Sequence, residues 1–401
     1  MIVPKLRFSE FKDDWYEVRI GDITECIVPG RNKPKKFNGD IPWVTIPDLK
    51  DKVFVSKSSS NLQISEAEAK NIGSKIVPEN SILMSCVGDL GIFSINKVPL
   101  VINQQLHAFL LDHSKYSEYF LMYALQTKSK YISSIATKTA LPYLNKDNCN
   151  SIPIRITSYN EQTKIAEFLS AVDDKISQLS RQLELLNQYK KGVMQKIFSQ
   201  EIRFKNDNGE DFAEWDEKTL LEIANFRRGS FPQPYGLPQW LDKNGEPFVQ
   251  VYDVDDNMSL KETTKIKISK LAQEQSVFAP KGTLIITIQG SIGRIAKMQY
   301  DAYVDRTLLI FQEYKCPINI DFFKYSLYLL FNLEKERADG GVIKTITKET
   351  LSKFVISVPE LQEQEKIAEF LGAIDKRINH TTDELTQTKT WKKGLLQQMF
   401  V

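Results

Sequence analysis

The sequence predicts an α+β protein built as two pseudo-repeated α+β domains joined by two long antiparallel coiled-coil helices. Three observations predict it. The chain is written twice at an offset of 202 residues, without a gap from Pro78 onward, and 17 of the 39 positions from Glu161 to Ser199 are identical to their counterparts. Two proline-free stretches, Glu161 to Phe198 and Glu363 to Phe400, carry a heptad apolar seam. The regions ahead of them are short apolar, β-branched runs bounded by Gly, Pro and Asn, which is the pattern of strands and turns.

Each half opens on a similar leading segment, Leu6 to Ile23 and Ile202 to Ala224: Arg-Phe, an aromatic-acidic turn, Trp15 or Trp215, then a short amphipathic stretch. Strand-like runs follow in matched pairs. IPWVTIPDL corresponds to EPFVQVYDV, VPENSILMSCVGDLG to APKGTLIITIQGSIG, and VINQQLHAFLL to YVDRTLLIFQE. The pairs Gly88/Gly91 and Gly290/Gly293 mark tight turns, and Tyr116 to Tyr131 and Phe322 to Arg337 carry helical spacing. In the first long helix Ile165, Leu169, Val172, Ile176, Leu179, Leu183 and Leu186 step by four and three; Ile367, Leu371, Ile374, Ile378, Thr381, Leu385 and Thr388 repeat the phase. Beyond Leu186 and Thr388 the expected seam slips by three residues, to Tyr189 and Val193 and to Trp391 and Leu395. At 1.5 Å per residue each helix is a rod of roughly 57 Å. Antiparallel pairing of the two seams is the simplest packing within one chain. The expected segments are 1–158, 159–199, 200–360 and 361–401.

A length of 401 residues with 42% hydrophobic and 26% charged content suits a globular chain. No apolar run approaches the roughly 18 residues of a membrane span, and the N-terminus does not have the pattern of a signal peptide. Cys26, Cys86, Cys149 and Cys316 are far apart, with no CxxC pair, so neither a zinc site nor a disulfide framework is expected, and a cytoplasmic location is. With 53 basic against 51 acidic residues, net +2, any contact with nucleic acid must use local patches or charge supplied by partners.

Enzyme chemistries fail in turn. The histidines are His107, His113 and His380, and the first two are not copied in the second half, against a His-based acid–base site. Neither a GxGxxG following a strand nor a Walker A sequence occurs. Asp48, Glu68 and Lys70 have the spacing of a two-carboxylate nuclease site, but SEAEAKN reads as a helix and Glu68 corresponds to Lys270. Pro232 to Tyr235 is only a distant approach to an amino-methyltransferase loop, and no catalytic residue is assigned.

Binding signals fit better. Arg31, Lys33, Lys35 and Lys36 form a basic loop, and Arg227 and Arg228 hold the matching place. Asn103, Gln104 and Gln105 match Asp305, Arg306 and Thr307. Lys138, Thr139, Tyr143 and Lys146 match a stretch that contains Lys344 and ends at Lys348, and Gln233 and Tyr235 complete the candidates. Amide and guanidinium groups suit base edges, and Lys and Thr suit phosphates. A solvated charged loop is the competing reading for each.

The EQ-x-KIA-x-FL-x-x-x-D motif, present twice, the YKKG and WKKG helix ends, and the PWVTIPDL and GDLG elements resemble the specificity subunit of type I restriction–modification systems along essentially the whole chain. The resemblance implies two target-recognition domains that each read half of a split sequence in double-stranded DNA, with the antiparallel helices as the spacer. It implies no catalysis and no cofactor on this chain. Two methyltransferase subunits with S-adenosylmethionine and two restriction subunits with ATP and Mg are the implied partners. The rod length and a preference for half-sites about one turn apart set an expected non-specific spacer of about 5–8 base pairs. A coiled-coil interaction scaffold that does not touch DNA is the alternative.

Overall fold

The computed structural model describes residues 3–337 and 348–400. In chain order the first half contains β1 (Tyr16–Arg19), α1 (Ile20–Ile23), β2 (Thr24–Ile27), β3 (Ile41–Val44), α2 (Ile46–Leu49), β4 (Phe54–Val55), β5 (Gln63–Ile64) and α3 (Glu66–Asn71). It continues through β6 (Ile82–Ser85), β7 (Phe93–Asn96), β8 (Val101–Ile102), β9 (Leu106–Leu111), α4 (Glu118–Gln126), α5 (Ser129–Ile135), α6 (Lys146–Asn150) and β10 (Pro153–Ile156) to the long α7 (Tyr159–Phe198). The second half repeats this with β11 (Asp216–Thr219), α8 (Leu220–Ile223), β12 (Ala224–Arg228), β13 (Leu241–Val249), β14 (Ile266–Ile268), α9 (Lys270–Gln273), β15 (Val277–Ala279) and β16 (Leu284–Thr287). Then come β17 (Ile295–Lys297), β18 (Ala302–Val304), β19 (Leu308–Tyr314), α10 (Ile320–Arg337), α11 (Lys348–Ser352), β20 (Val355–Val358) and α12 (Leu361–Phe400). Both long helices begin two residues before the expected start, and the helical stretch near Tyr116 is broken into two.

The repeat is one of topology as well as sequence. The first domain has a sheet of order β2-β9-β6-β7-β4 and the second one of order β12-β19-β16-β17; a smaller sheet, β5-β3-β8, corresponds to β14-β13-β18-β15. In each half the leading strand pairs antiparallel with the strand before the long helix, β1 with β10 and β11 with β20. The four turn glycines have φ between +70° and +79°, the left-handed region where a side chain would be strained. Asp48 and Glu68 are buried and committed to the backbone. Asp48 accepts from Thr45 and Ser59, and Glu68 accepts from the Lys35 N–H at 2.6 Å. Glu68 lies on a helix, as read.

By its internal contacts the chain divides into two compact units, Met1–Gln182 with Thr381–Val401, and Leu183–His380. Each takes a part of both long helices, so the packing regroups the four sequence segments. In the first unit Ile165, Leu169 and Val172 of α7 join one core with Leu395, Met399 and Phe400 of α12; in the second, Met194 and Ile197 of α7 join Ile367, Leu371 and Ile374 of α12. The helices are therefore antiparallel. Seam positions Leu179 and Leu385 are buried, and Ile176, Leu183, Leu186 and Ile378 half-buried. Leu371 is fully buried, so Leu371→Ala is expected to cost about 2–5 kcal/mol in chemical denaturation.

Of the expected slip, Leu395 is buried and Val193 half-buried, but Tyr189 and Trp391 are corrected: these are 55% and 53% exposed. The seam passes instead through Lys190 and Lys392. Lys392 Nζ lies 2.6 Å from Asp173 and 5.1 Å from the Tyr123 ring centroid, and Tyr123 donates its hydroxyl to Asp173 at 2.7 Å. In the second unit Lys190, Asp375 and Tyr325 repeat the arrangement, Tyr325 donating to Asp375 at 2.6 Å. A lysine stem lines apolar surface while its ammonium finds a carboxylate, which an exposed aromatic at the next position could not do. Burial, opposed by Asp375, lowers the Lys190 ammonium, and burial followed by Asp173 pushes the Tyr123 phenol up.

The remaining motif residues have equally definite partners. Glu161 accepts both Arg7 Nε and Nη2, at 2.7 and 2.8 Å, and the Thr157 hydroxyl at 2.6 Å. Glu363 accepts Arg203 Nη2 at 2.9 Å and the Trp215 indole N–H at 3.0 Å. Gln162 accepts the Ser117 N–H and donates to the Thr157 carbonyl; Gln364 does the same with Asn319 and Pro359. These carboxylates occupy the first turn, where the helix dipole favours negative charge. Trp15 closes on Phe120 and Phe400, and Trp215 on Phe198 and Phe322.

Three residues that are far apart in the chain are neighbours in the fold. Cys86, His107 and Cys149, up to 63 residues apart in the chain, are brought together by folding, all three buried, with their ligating atoms within 4.8 Å of one another. Sequence spacing could not show this, because each residue comes from a different element. Burial pushes the Cys86 thiol well up, whereas hydrogen bonding with Cys86, against burial and aided by His107, draws Cys149 down to about 6.

Candidate nucleic-acid interface

In the first domain the candidate residues converge on one turn. Asn103 is buried; its side chain accepts the Gln105 N–H at 3.1 Å and donates to Gln105 Oε1 at 3.0 Å, closing the turn between β8 and β9. Gln104 Nε2 donates to the carbonyls of Gly30 and Asn32 at 3.1 and 2.8 Å, clamping the loop that carries Arg31, Lys33, Lys35 and Lys36. That loop is also held by Glu68 through the Lys35 N–H. On the other side the Gln105 carbonyl accepts the Cys86 N–H (2.7 Å) and the Cys86 carbonyl accepts the Leu144 N–H (2.9 Å). The strap holding Lys138, Thr139, Tyr143 and Lys146 is thereby tied down. Its Pro142 carbonyl accepts the Gly88 N–H at 2.9 Å. The four basic side chains of the loop, together with Lys138, Thr139, Tyr143 and Lys146, are exposed. Within the fold Asn103 closes the turn through both ends of its amide, and Gln104 clamps the basic loop through its amide nitrogen.

The second domain builds the same turn with different chemistry. Asp305 Oδ1 accepts the Thr307 N–H at 3.0 Å and its hydroxyl at 2.6 Å, so the Thr307 hydroxyl is spent inside the turn. The Ser230 N–H donates to the Val304 carbonyl at 2.9 Å, joining the turn to the end of β12, where Arg227 and Arg228 are both exposed. Arg306 is exposed and its guanidinium carbon lies 5.6 Å from the Tyr235 ring centroid. Tyr235 packs on Phe231 with ring centroids 4.8 Å apart, and its hydroxyl receives Gln250 Nε2. Gln233 is exposed beside it. Lys344 lies outside the described residues, as does the side chain of Lys348, whose backbone opens α11.

Sequence reasoning missed Gln250 and Tyr252. Tyr252 donates its hydroxyl to Gln250, completing a polar and aromatic cluster with Tyr235 and Arg306. Burial pushes the Tyr252 phenol up to about 12, with Asp253 adding to the effect. A usable signal was present: the EPFVQVYDV run ends in the same capping arrangement as IPWVTIPDL, Gln250 N–H to Asp253 and Thr45 N–H to Asp48. Elsewhere in the second unit a cleft of about 1550 Å³ is lined by Lys191, Lys281, Lys297, Lys324, Tyr328 and Leu333 among others; it shares no residue with this cluster. No helix among the described residues is long and apolar enough to cross a membrane.

The geometry thus defines a duplicated binding scaffold in which each domain carries polar turns on a common frame. The chain belongs to the type I restriction modification DNA specificity domain family, which matches residues 12–188 and 213–388, and it is a non-catalytic DNA sequence-specificity subunit. Two relatives from Methanocaldococcus jannaschii are similar over most of their length. The type I restriction enzyme MjaVIII specificity subunit is 26% identical over 96% of this chain and 91% of its own. The putative MjaX subunit is 24% identical over 98% and 94%. The MjaIX subunit is 29% identical over a shorter match, 61% of this chain and 60% of its own. The fold is similar to the crystal structure of a type I restriction–modification S subunit from M. genitalium, with a TM-score of 0.64, 18% identity, and coverage of 100% of this chain and 99% of that one.

Proposed function

We propose that the chain reads a bipartite DNA target, one half-site per domain, with the antiparallel α7 and α12 setting a non-specific gap of about 5–8 base pairs. The observation that carries the reading is the pair of equivalent turns, Asn103–Gln105 and Asp305–Thr307: one frame, closed by the same side-chain-to-backbone bond, presents different surroundings. Two modules with one frame and different surface residues discriminate two different sequences. The exposed cations of the Arg31–Lys36 loop and of Arg227 and Arg228 meet phosphates, and Arg306 with Tyr235 meets base edges. The long helices carry two methyltransferase subunits with S-adenosylmethionine, and two restriction subunits with ATP and Mg join them, in the cytoplasm. Those subunits supply the countercharge that a chain of net +2 lacks.

The test is a modified-base map of the host genome with and without the gene. Loss of one split, adenine-methylated motif supports the reading; an unchanged map in cells that express the whole system counts against it. A narrower expectation concerns Arg306. Arg306→Ala should relax discrimination at one half-site by about 1–3 kcal/mol, leaving the other half-site intact. Equal relaxation at both halves would count against one domain per half-site.

A further inference from the structure

We propose that Cys86, His107 and Cys149 form a buried zinc(II) site in the first domain. Cys86 Sγ and Cys149 Sγ lie 3.6 Å apart, and His107 Nδ1 lies 3.3 Å from Cys149 Sγ. A tetrahedral zinc with its usual sulfur and nitrogen bond lengths places such atoms about 3.8 and 3.5 Å apart. The three positions are anchored independently of any ion. Cys86 follows β6 and is bonded through its backbone to Gln105 and Leu144, His107 lies on β9 opposite Met84, and Cys149 lies in α6, whose first turn is capped by Asn145.

The second domain supplies the comparison. At the offset of 202 residues the three places are held by Ile288, Leu309 and Leu351, all fully buried in an apolar core. This frame therefore needs only aliphatic packing there, whereas the first domain holds a metal-ligating side chain at all three places. Two thiolates, a neutral imidazole and a divalent cation sum to zero charge, the combination that an apolar core tolerates best. A Cys₂His donor set holds zinc with the fourth tetrahedral position left to a water, and zinc brings no redox chemistry with it.

The site lies directly beneath the turn and strap described above: Gln105 is two residues from His107, and Lys146 three from Cys149. Resting on the reading of those loops as a DNA face, zinc would hold the first half-site's surface in register and leave the second untouched.

The test is elemental analysis of the full-length chain purified without a metal-affinity tag. About one zinc per chain is expected in the wild type and in Cys316→Ser, and none in Cys149→Ser. The triple variant Cys86→Ile, His107→Leu, Cys149→Leu, which installs the second domain's residues, should also lack zinc while keeping its circular dichroism. Chelation of the wild type should lower its thermal midpoint but leave that of the triple variant unchanged. A wild type that takes up no zinc even from equimolar zinc chloride overturns the proposal, as does zinc retained in Cys149→Ser or copper in its place. The zinc count does not depend on DNA, so a negative count with a split methylation motif rejects only the metal, and the converse rejects only the DNA reading.

Discussion

Replacing Glu363 by alanine is expected to destabilise the second unit by about 3–5 kcal/mol, the cost of breaking a buried pair and stranding its partner. The Glu363 side chain is fully buried and Arg203 is 18% exposed. Truncation leaves the buried Trp215 indole N–H without its acceptor and takes from the Arg203 guanidinium its buried carboxylate, leaving it the Phe212 and Ala213 carbonyls. It also removes the favourable charge from the first turn of α12, so both the helix start and the leading segment should loosen. Glu363→Gln keeps an acceptor and should lose less. Glu363→Leu combined with Arg203→Met should recover much of the loss, since an apolar pair of similar volume carries no stranded charge. Hydrogen exchange across residues 203–223 and 361–378 gives the local readout, with Glu161→Ala producing the corresponding change around Arg7. A loss below about 1 kcal/mol would mean that the pair behaves like one on the surface and that the motif glutamate has another role.

Lengthening one spacer helix is expected to change the DNA target itself. Four residues inserted between Gln182 and Leu183 add about 6 Å of helix. The insertion turns the helix through about 400°, so the apolar face downstream stays near its original heading and the seam can re-form. The methylated motif should keep both half-sites and gain about two base pairs of non-specific gap. Modified-base sequencing of cells carrying the variant reads this directly. Unaltered spacing would sink the ruler account, and altered half-sites would mean that the helices do more than separate the domains.

Much of this architecture was legible in the chain. Heptad steps from Ile165 to Leu186 announced a packed helix, and the glycines at 88, 91, 290 and 293 announced turns, because both signals are local. The seam failed where it met Lys190 and Lys392. By hydrophobicity Tyr189 and Trp391 look like the better seam residues, yet the partners that settle the choice, Asp375 and Asp173, lie on the other helix. The candidate interface was legible as a set of polar turns but not residue by residue. Asn103 and Arg306 both looked suited to base edges; one is buried closing its own turn and the other reaches over Tyr235.

The sequence by itself determined the duplication, the two long helices, the order of strands and turns, and the place of the polar loops. Each of these rests on periodicity or on residues a few positions apart, where the backbone alone sets the geometry. Only the tertiary structure decided which lysines enter the helix seam, which amides are spent inside the fold, and that Cys86, His107 and Cys149 meet. Those outcomes depend on contacts between residues far apart in the chain, and the free energy of burying a charge or a thiol is set by the partner that folding places beside it.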